Sequence, residues 1–284
     1  MRRPKFKVTY IKEKVMKYLL AVDLEGAHGV VGEAYKGLIP GMKEYDKAVE
    51  NVTKEVNAAT EALYDYVATK VFVWDNHGNL DNLDFKKVDP RAEKIKPHSN
   101  SVGRLDFLSE LSIDAMLFIG YHSREGSLNG VLAHTYSSQS IQYYKIDGKQ
   151  VGEFDIDGII AESFGVPSVF LSSDDVCVNQ FLENRPYASV AVTKIGKGRN
   201  EAEFLPEKAV LDEIKKKVGE AVRKAKPTIK NHFPCAVEIR YTRTEAAADA
   251  YKKLNAEGIR VVYGEDAHVL IGVARSKDEL RKYL

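Results

Sequence analysis

From residue 18 onward, short apolar runs alternate with longer amphipathic stretches. YLLAVD (18–23) is apolar without alternation, as expected for a strand buried on both faces. Residues 42–68 place Val49, Val52, Val56, Ala59 and Leu63 at three- and four-residue intervals, which predicts a helix. KVFVWDN (70–76), AMLFIGYH (115–122), VPSVFLSSD (166–174) and ASVAVTKIG (188–196) read as further strands. DPRAEKIKPHSNSVGR (89–104) reads as a loop, and Asp147-Gly148 marks a tight turn between two extended runs. DIDGIIAESFG (155–165) predicts a short helix closed by Gly165. A charged helix spans 206–225, with Pro206 near its start and Pro227 beyond its end.

The chain then restarts with CAVEIRY (235–241), a helical pattern over 244–258, IRVVYG (259–264) and a terminal helical pattern, SKDELRKYL. This tail predicts a small βαβ-type layer. Strands alternating with helices give an α/β fold with a mostly parallel central sheet flanked by helices. The expected organisation is a basic N-terminal extension (1–15), a metal-binding catalytic α/β domain (16–185) and a C-terminal α/β region (186–284) serving oligomerisation or pocket lining.

The chemistry gathers where strands end. In open α/β sheets, ligands bind beyond the carboxyl ends of the strands. Asp23 and Glu25 follow the first predicted strand, Asp75 and His77 the second, and His122 the third. One polar strand end is ordinary, but three in succession converge if the strands are parallel. On extended backbone Asp23 and Glu25 share a face while Leu24 turns to the core. Two carboxylates so held repel unless a cation or protons intervene. Asp75 either orients His77, since a ligating imidazole needs its second nitrogen fixed, or forms the turn at Gly78 with Asn76. Glu153 at a helix start reads on position alone as a capping residue, and His134 as a loop histidine able to move a proton. Two histidines with three carboxylates suit Zn²⁺, Mn²⁺, Co²⁺ or Fe²⁺ better than Ca²⁺.

Composition narrows the classes further. The 284 residues are 44% hydrophobic and 29% charged, which suits a packed globular core. A net charge of +1, from 42 basic and 41 acidic residues, gives no basic excess of the kind nucleic-acid and membrane-surface binding needs. Two cysteines, Cys177 and Cys235, have no metal-site or disulfide-framework spacing. No apolar run reaches the roughly 18–20 residues of a membrane span. The basic leader MRRPKFKVTYIKEKV lacks the apolar core of a secretory signal, so the expected location is cytoplasmic.

VDLEG (22–26), DNHGNLDNL (75–83), LFIGYHSR (117–124), GVLAHTYS (130–137), VGEFDIDG (151–158) and SSDD (172–175) together resemble the zinc-dependent D-aminopeptidases associated with dipeptide-transport operons. The resemblance covers residues 17–175. It implies two Zn²⁺ per subunit (Mn²⁺ or Co²⁺ being alternatives), with Asp23 bridging, Glu25 and His77 in one shell, and His122 and Glu153 in the other. It implies His134 as the catalytic histidine and removal of N-terminal D-residues from short peptides as the activity. It also implies a ring-shaped homo-oligomer, a decamer being the ring size considered. The chain departs from the family pattern at His28, where an apolar residue is usual, and in the acidity around Asp157; both are expected to bear on the substrate pocket. The rival readings are a metal-dependent phosphoesterase, other metallo-amidohydrolases, and a non-catalytic peptide-binding protein.

Overall fold

The computed structural model describes residues 15–78, 81–96 and 103–284. Of the basic extension, only Val15 falls within that range. In chain order the elements are β1 (Lys17–Val22), α1 (Tyr45–Tyr66), β2 (Lys70–Asp75), β3 (Ala92–Lys94), α2 (Leu108–Leu111), β4 (Ala115–Ile119), β5 (Ile141–Ile146) and β6 (Lys149–Gln150). They continue with α3 (Glu153–Ser163), β7 (Ser168–Asp174), α4 (Asp175–Asn184), β8 (Ser189–Gly198), β9 (Glu201–Phe204), α5 (Glu207–Arg223), β10 (Cys235–Tyr241), α6 (Thr244–Ala256), β11 (Val261–Tyr263), β12 (Val269–Ala274) and α7 (Lys277–Arg281).

Seven strands form the main sheet in the order β3-β2-β1-β4-β7-β8-β9. All its pairings are parallel except β8 with β9. β1 is central and buried on both faces. Leu19 and Ala21 enter the core shared with α3 and α4, while Tyr18, Leu20 and Val22 enter the core under α1 and α5. That two-sided burial explains the unbroken apolar run. The chain leaves β1 toward β2 on one side and β4 on the other. The crevice beyond their carboxyl ends is therefore a topological switch point.

The C-terminal tail differs from the expected parallel layer. It contributes β10, β11 and β12 to an antiparallel sheet ordered β11-β12-β10-β5-β6. β12 was not expected; its VLIGVA run is short and interrupted by glycine. β10 pairs with β5 from the middle of the chain, a contact that local periodicity does not encode. Strands of this second sheet thus come from both sides of residue 185, and the main sheet continues past it in β8 and β9. The Asp147-Gly148 turn forms with both residues at positive φ (49° and 77°), the conformation a two-residue hairpin loop needs. The stretch expected as a third strand to residue 122 stops at Ile119, because Gly120 takes φ 70°.

Candidate metal centre

Two loops meet where β1 and β4 end. Gly26 N–H donates to the Gly120 carbonyl (2.7 Å) and Asp23 N–H to the Ile119 carbonyl (2.9 Å). A Cβ at Gly26 would lie 1.8 Å from the Tyr121 carbonyl oxygen, so glycine serves close approach of two backbones here. The contact brings Asp23 and Glu25 beside His122, and β2 delivers His77 from the other side.

The expected site residues gather in one cluster. His77 Nδ1 lies 2.9 Å from Asp23 Oδ1 and 3.2 Å from Glu25 Oε2. His122 Nε2 is 3.4 Å from Asp23 Oδ2 and 3.2 Å from Glu153 Oε1. His134 Nε2 stands 3.6 Å from the same Glu153 oxygen, and its ring stacks on His122 at 3.8 Å. Glu153 opens α3 as expected, yet the reciprocal cap there is made by Asp155, which accepts from Gly152 N–H. Glu153 instead turns inward and accepts the Tyr136 amide (2.8 Å).

Each imidazole has one nitrogen committed to a backbone carbonyl: His77 Nε2 to Leu38 (2.5 Å), His122 Nδ1 to Ser123 (3.0 Å) and His134 Nδ1 to Leu132 (2.8 Å). With the N–H directed there, each remaining nitrogen turns toward the carboxylates, the pose of a metal-ligating histidine. Donors about 2.0 Å from a tetrahedral zinc stand roughly 3.3 Å from one another, close to the separations seen. Asp23, Glu25 and His122 offer ligand atoms within 4.8 Å of one another, as do His122, His134 and Glu153. Glu25 Oε2 and His122 Nε2 are buried without a hydrogen-bond partner. Orphaned buried polar atoms are costly, and a divalent cation would satisfy both.

The electrostatics make the same demand. Burial, with Glu25 close by, pushes Asp23 up to about 7. Burial opposes ionisation of Glu25 too, but the charge of the adjacent His77 outweighs it and holds this carboxyl well below its usual range. Burial works against a charged His122, yet Glu153 and Asp23 lift it to about 10. Three buried carboxylates therefore draw positive charge into the cluster, as protons or as a metal ion. His134 goes the other way: burial, then the His122 charge, lower its pKa.

Several supports were not read from the sequence. Buried Lys194 on β8 donates to the carbonyls of Glu25, Ala27 and Val30 at 2.6, 2.8 and 2.7 Å. Thr193 Oγ1 adds a bond to the Gly26 carbonyl (2.6 Å). Arg104 and Asp157 form a buried pair at 2.5 Å, with Tyr121 Oη donating to Asp157 (2.9 Å). The acidity around Asp157 is thus neutralised within the protein. Leu132 and Tyr136, flanking His134, hold left-handed φ values of 51° and 58°. Such strain in non-glycine residues clusters at functional sites.

Asp75 does not orient His77: its carboxylate accepts from Asn82 N, Asn82 Nδ2 and Leu83 N at 2.5–2.8 Å and ties residues 82 and 83 to the end of β2. The expectation for His28 needs correction. His28 does not line the pocket. Its Nε2 meets the Leu205 carbonyl (2.7 Å) and its ring tilts against Phe204, so it fastens the loop carrying Asp23 and Glu25 to the segment after β9.

Residues 16–263 match the family model described as D-aminopeptidase. A D-aminopeptidase of Bacillus subtilis (strain 168) is 27% identical over 179 residues, covering 63% of this chain. The chain spans about 64% of that relative's length. The solved zinc-dependent D-aminopeptidase of Bacillus subtilis, described as a self-compartmentalizing protease, superposes with a TM-score of 0.84 over 94% of this chain and 95% of its own. At 21% identity that likeness speaks to the fold. The family match runs without a break from the start of the main sheet to the end of β11, and on it the chain belongs to the D-aminopeptidase family.

Proposed function

We propose that the chain is a zinc-dependent aminopeptidase that removes the N-terminal D-residue of short peptides. The observation carrying this reading is the convergence of Asp23, Glu25, His77, His122 and Glu153, with Asp23, Glu25, His77 and Glu153 lining one cavity and buried ligand atoms left unpartnered. These five residues would hold two zinc ions. Bound zinc would polarise the scissile carbonyl and lower the pKa of water to about 7.

The protein's own groups do the rest. His134, half-buried and uncharged near pH 7, has its Nδ1–H on the Leu132 carbonyl, so Nε2 is free to take a proton from water. The resulting imidazolium can pass that proton to the departing amine nitrogen. Asp157 neutralises Arg104 at the pocket wall, and Leu38 and Leu132 shield the cavity from bulk water. No helix among the described residues is long and apolar enough to cross a membrane. We infer a cytoplasmic homo-oligomer in which this pocket faces a ring interior; the self-compartmentalizing relative supports that reading. The C-terminal region would also serve the pocket, since Arg199 and Leu284 line it.

The test pairs metal content with turnover on matched D- and L-aminoacyl substrates. His77→Ala should lose zinc. His134→Ala should retain zinc and lose turnover by about 100-fold or more. Full zinc and full activity in both variants would refute the assignment.

A further inference from the structure

The cavity, about 380 Å³ in volume, is lined by the metal cluster and by three cations, Lys36, Arg104 and Arg199. Two of these are already matched by carboxylates. The Arg104 guanidinium closes on Asp157, and Lys36 Nζ lies 2.7 Å from Glu33. Arg199 differs: its charge acts on Glu125, but among the described residues no carboxylate lies within 4.0 Å of it, and its side chain donates only through Nη1, to the Ala133 carbonyl.

That contact places the group. Arg199 sits in the turn between β8 and β9, and its own carbonyl accepts the Leu132 amide (2.7 Å). Backbone and side chain are both tied to the two residues preceding His134. A guanidinium carries five N–H donors in a planar fork. With one used to fix it, the others can take a carboxylate in bidentate fashion.

We propose that Arg199 is the subsite for the C-terminal carboxylate of a short peptide whose N-terminal residue lies at the metal cluster. The inference rests on the peptidase reading and adds to it what limits peptide length. Each residue extends a peptide by at most about 3.6 Å. A cation bonded to the residue next to His134 is therefore within reach of the carboxylate of a dipeptide or tripeptide. A longer chain places its terminus beyond the fork, and a C-terminal amide removes the charge. Either change forfeits the ion pair.

The experiment compares D-Ala-D-Ala with its C-terminal amide on the zinc-loaded full chain. The wild type should favour the free acid by about 10- to 100-fold in kcat/KM, the range for a hydrogen-bonded charge. Arg199→Gln should erase most of that preference through KM, while Arg199→Lys retains part of it. An equal loss on both substrates, or a wild type indifferent to the amide, overturns the subsite. If the wild type cleaves neither peptide, it is the peptidase reading that fails. The subsite is then decided by calorimetric binding of the same two peptides to the metal-free chain in chelator. Tighter binding of the free acid, lost in Arg199→Gln, sustains it, and equal affinities overturn it. Should Arg199→Gln not fold, a reduced acid preference in Arg199→Lys supports the proposal and an unaltered one refutes it.

Discussion

Glu55, on α1, is fully buried. It accepts the His28 amide (2.7 Å) and the Ser172 hydroxyl (3.4 Å). Burial pushes its carboxyl up to about 7, with the His28 amide and the Lys194 charge only partly offsetting it. The folded state therefore keeps a proton that the unfolded chain releases near pH 4.5. Stability associated with this group is complete below pH 4.5 and lost as pH rises through 7. The loss is on the order of 3 kcal/mol. Glu55→Gln keeps an acceptor for His28 and does not titrate. Urea unfolding at pH 5 and pH 8 should show a smaller decline in the variant than in the wild type. Identical declines would mean that Glu55 ionises without cost. Nothing in the local sequence marks Glu55, because it occupies one position of an amphipathic helix whose depth depends on what packs over it.

Among the elements, β8 acts on the Asp23–Glu25 loop from three strands away in the main sheet. Its Lys194 and Thr193 grip the loop that carries Glu25, so the position of that carboxylate depends on a strand that supplies no ligand. Lys194→Met keeps the length and removes three hydrogen bonds, orphaning carbonyls at about 1–3 kcal/mol each. Zinc affinity measured by chelator competition should fall at least about tenfold, with a lower Tm. An unchanged zinc affinity would show that the loop holds its shape unaided. The sequence reading placed β8 correctly, yet ASVAVTKIG gives no sign that its lysine points inward. Alternation assigns faces; it does not say what lies opposite them. The same limit applies to β10, recognisable as a strand, whose antiparallel partners β5 and β12 depend on contacts distant in sequence.

At the scale of the whole molecule, three buried carboxylates facing three histidines would make the fold responsive to a bound metal. A ligand bound only by the folded state stabilises it, by about 2.7 kcal/mol at a hundred times Kd. For a chain of this size, removing zinc with EDTA should lower Tm by roughly 5–10 °C, and re-addition should restore it. A Tm indifferent to EDTA, in protein shown to contain zinc beforehand, would place the metal outside the folded core. The strand ends, the ordered motifs and the helix spacing are local properties of the chain, so Asp23, Glu25, His77 and His122 could be singled out from sequence by their place after buried strands. Glu153 and His134 could not be separated from a cap and a loop residue on position alone; only the family resemblance raised them. What the tertiary structure decided was convergence and pairing: that Asp75 holds Asn82 and Leu83, that His28 faces away from the pocket, that Lys194 and Arg104 are buried, and that Arg199 reaches the wall beside His134. The Asp75 contacts close over 7 and 8 residues, but the others join segments 53 to 177 residues apart in the chain, which no local pattern of side chains contains.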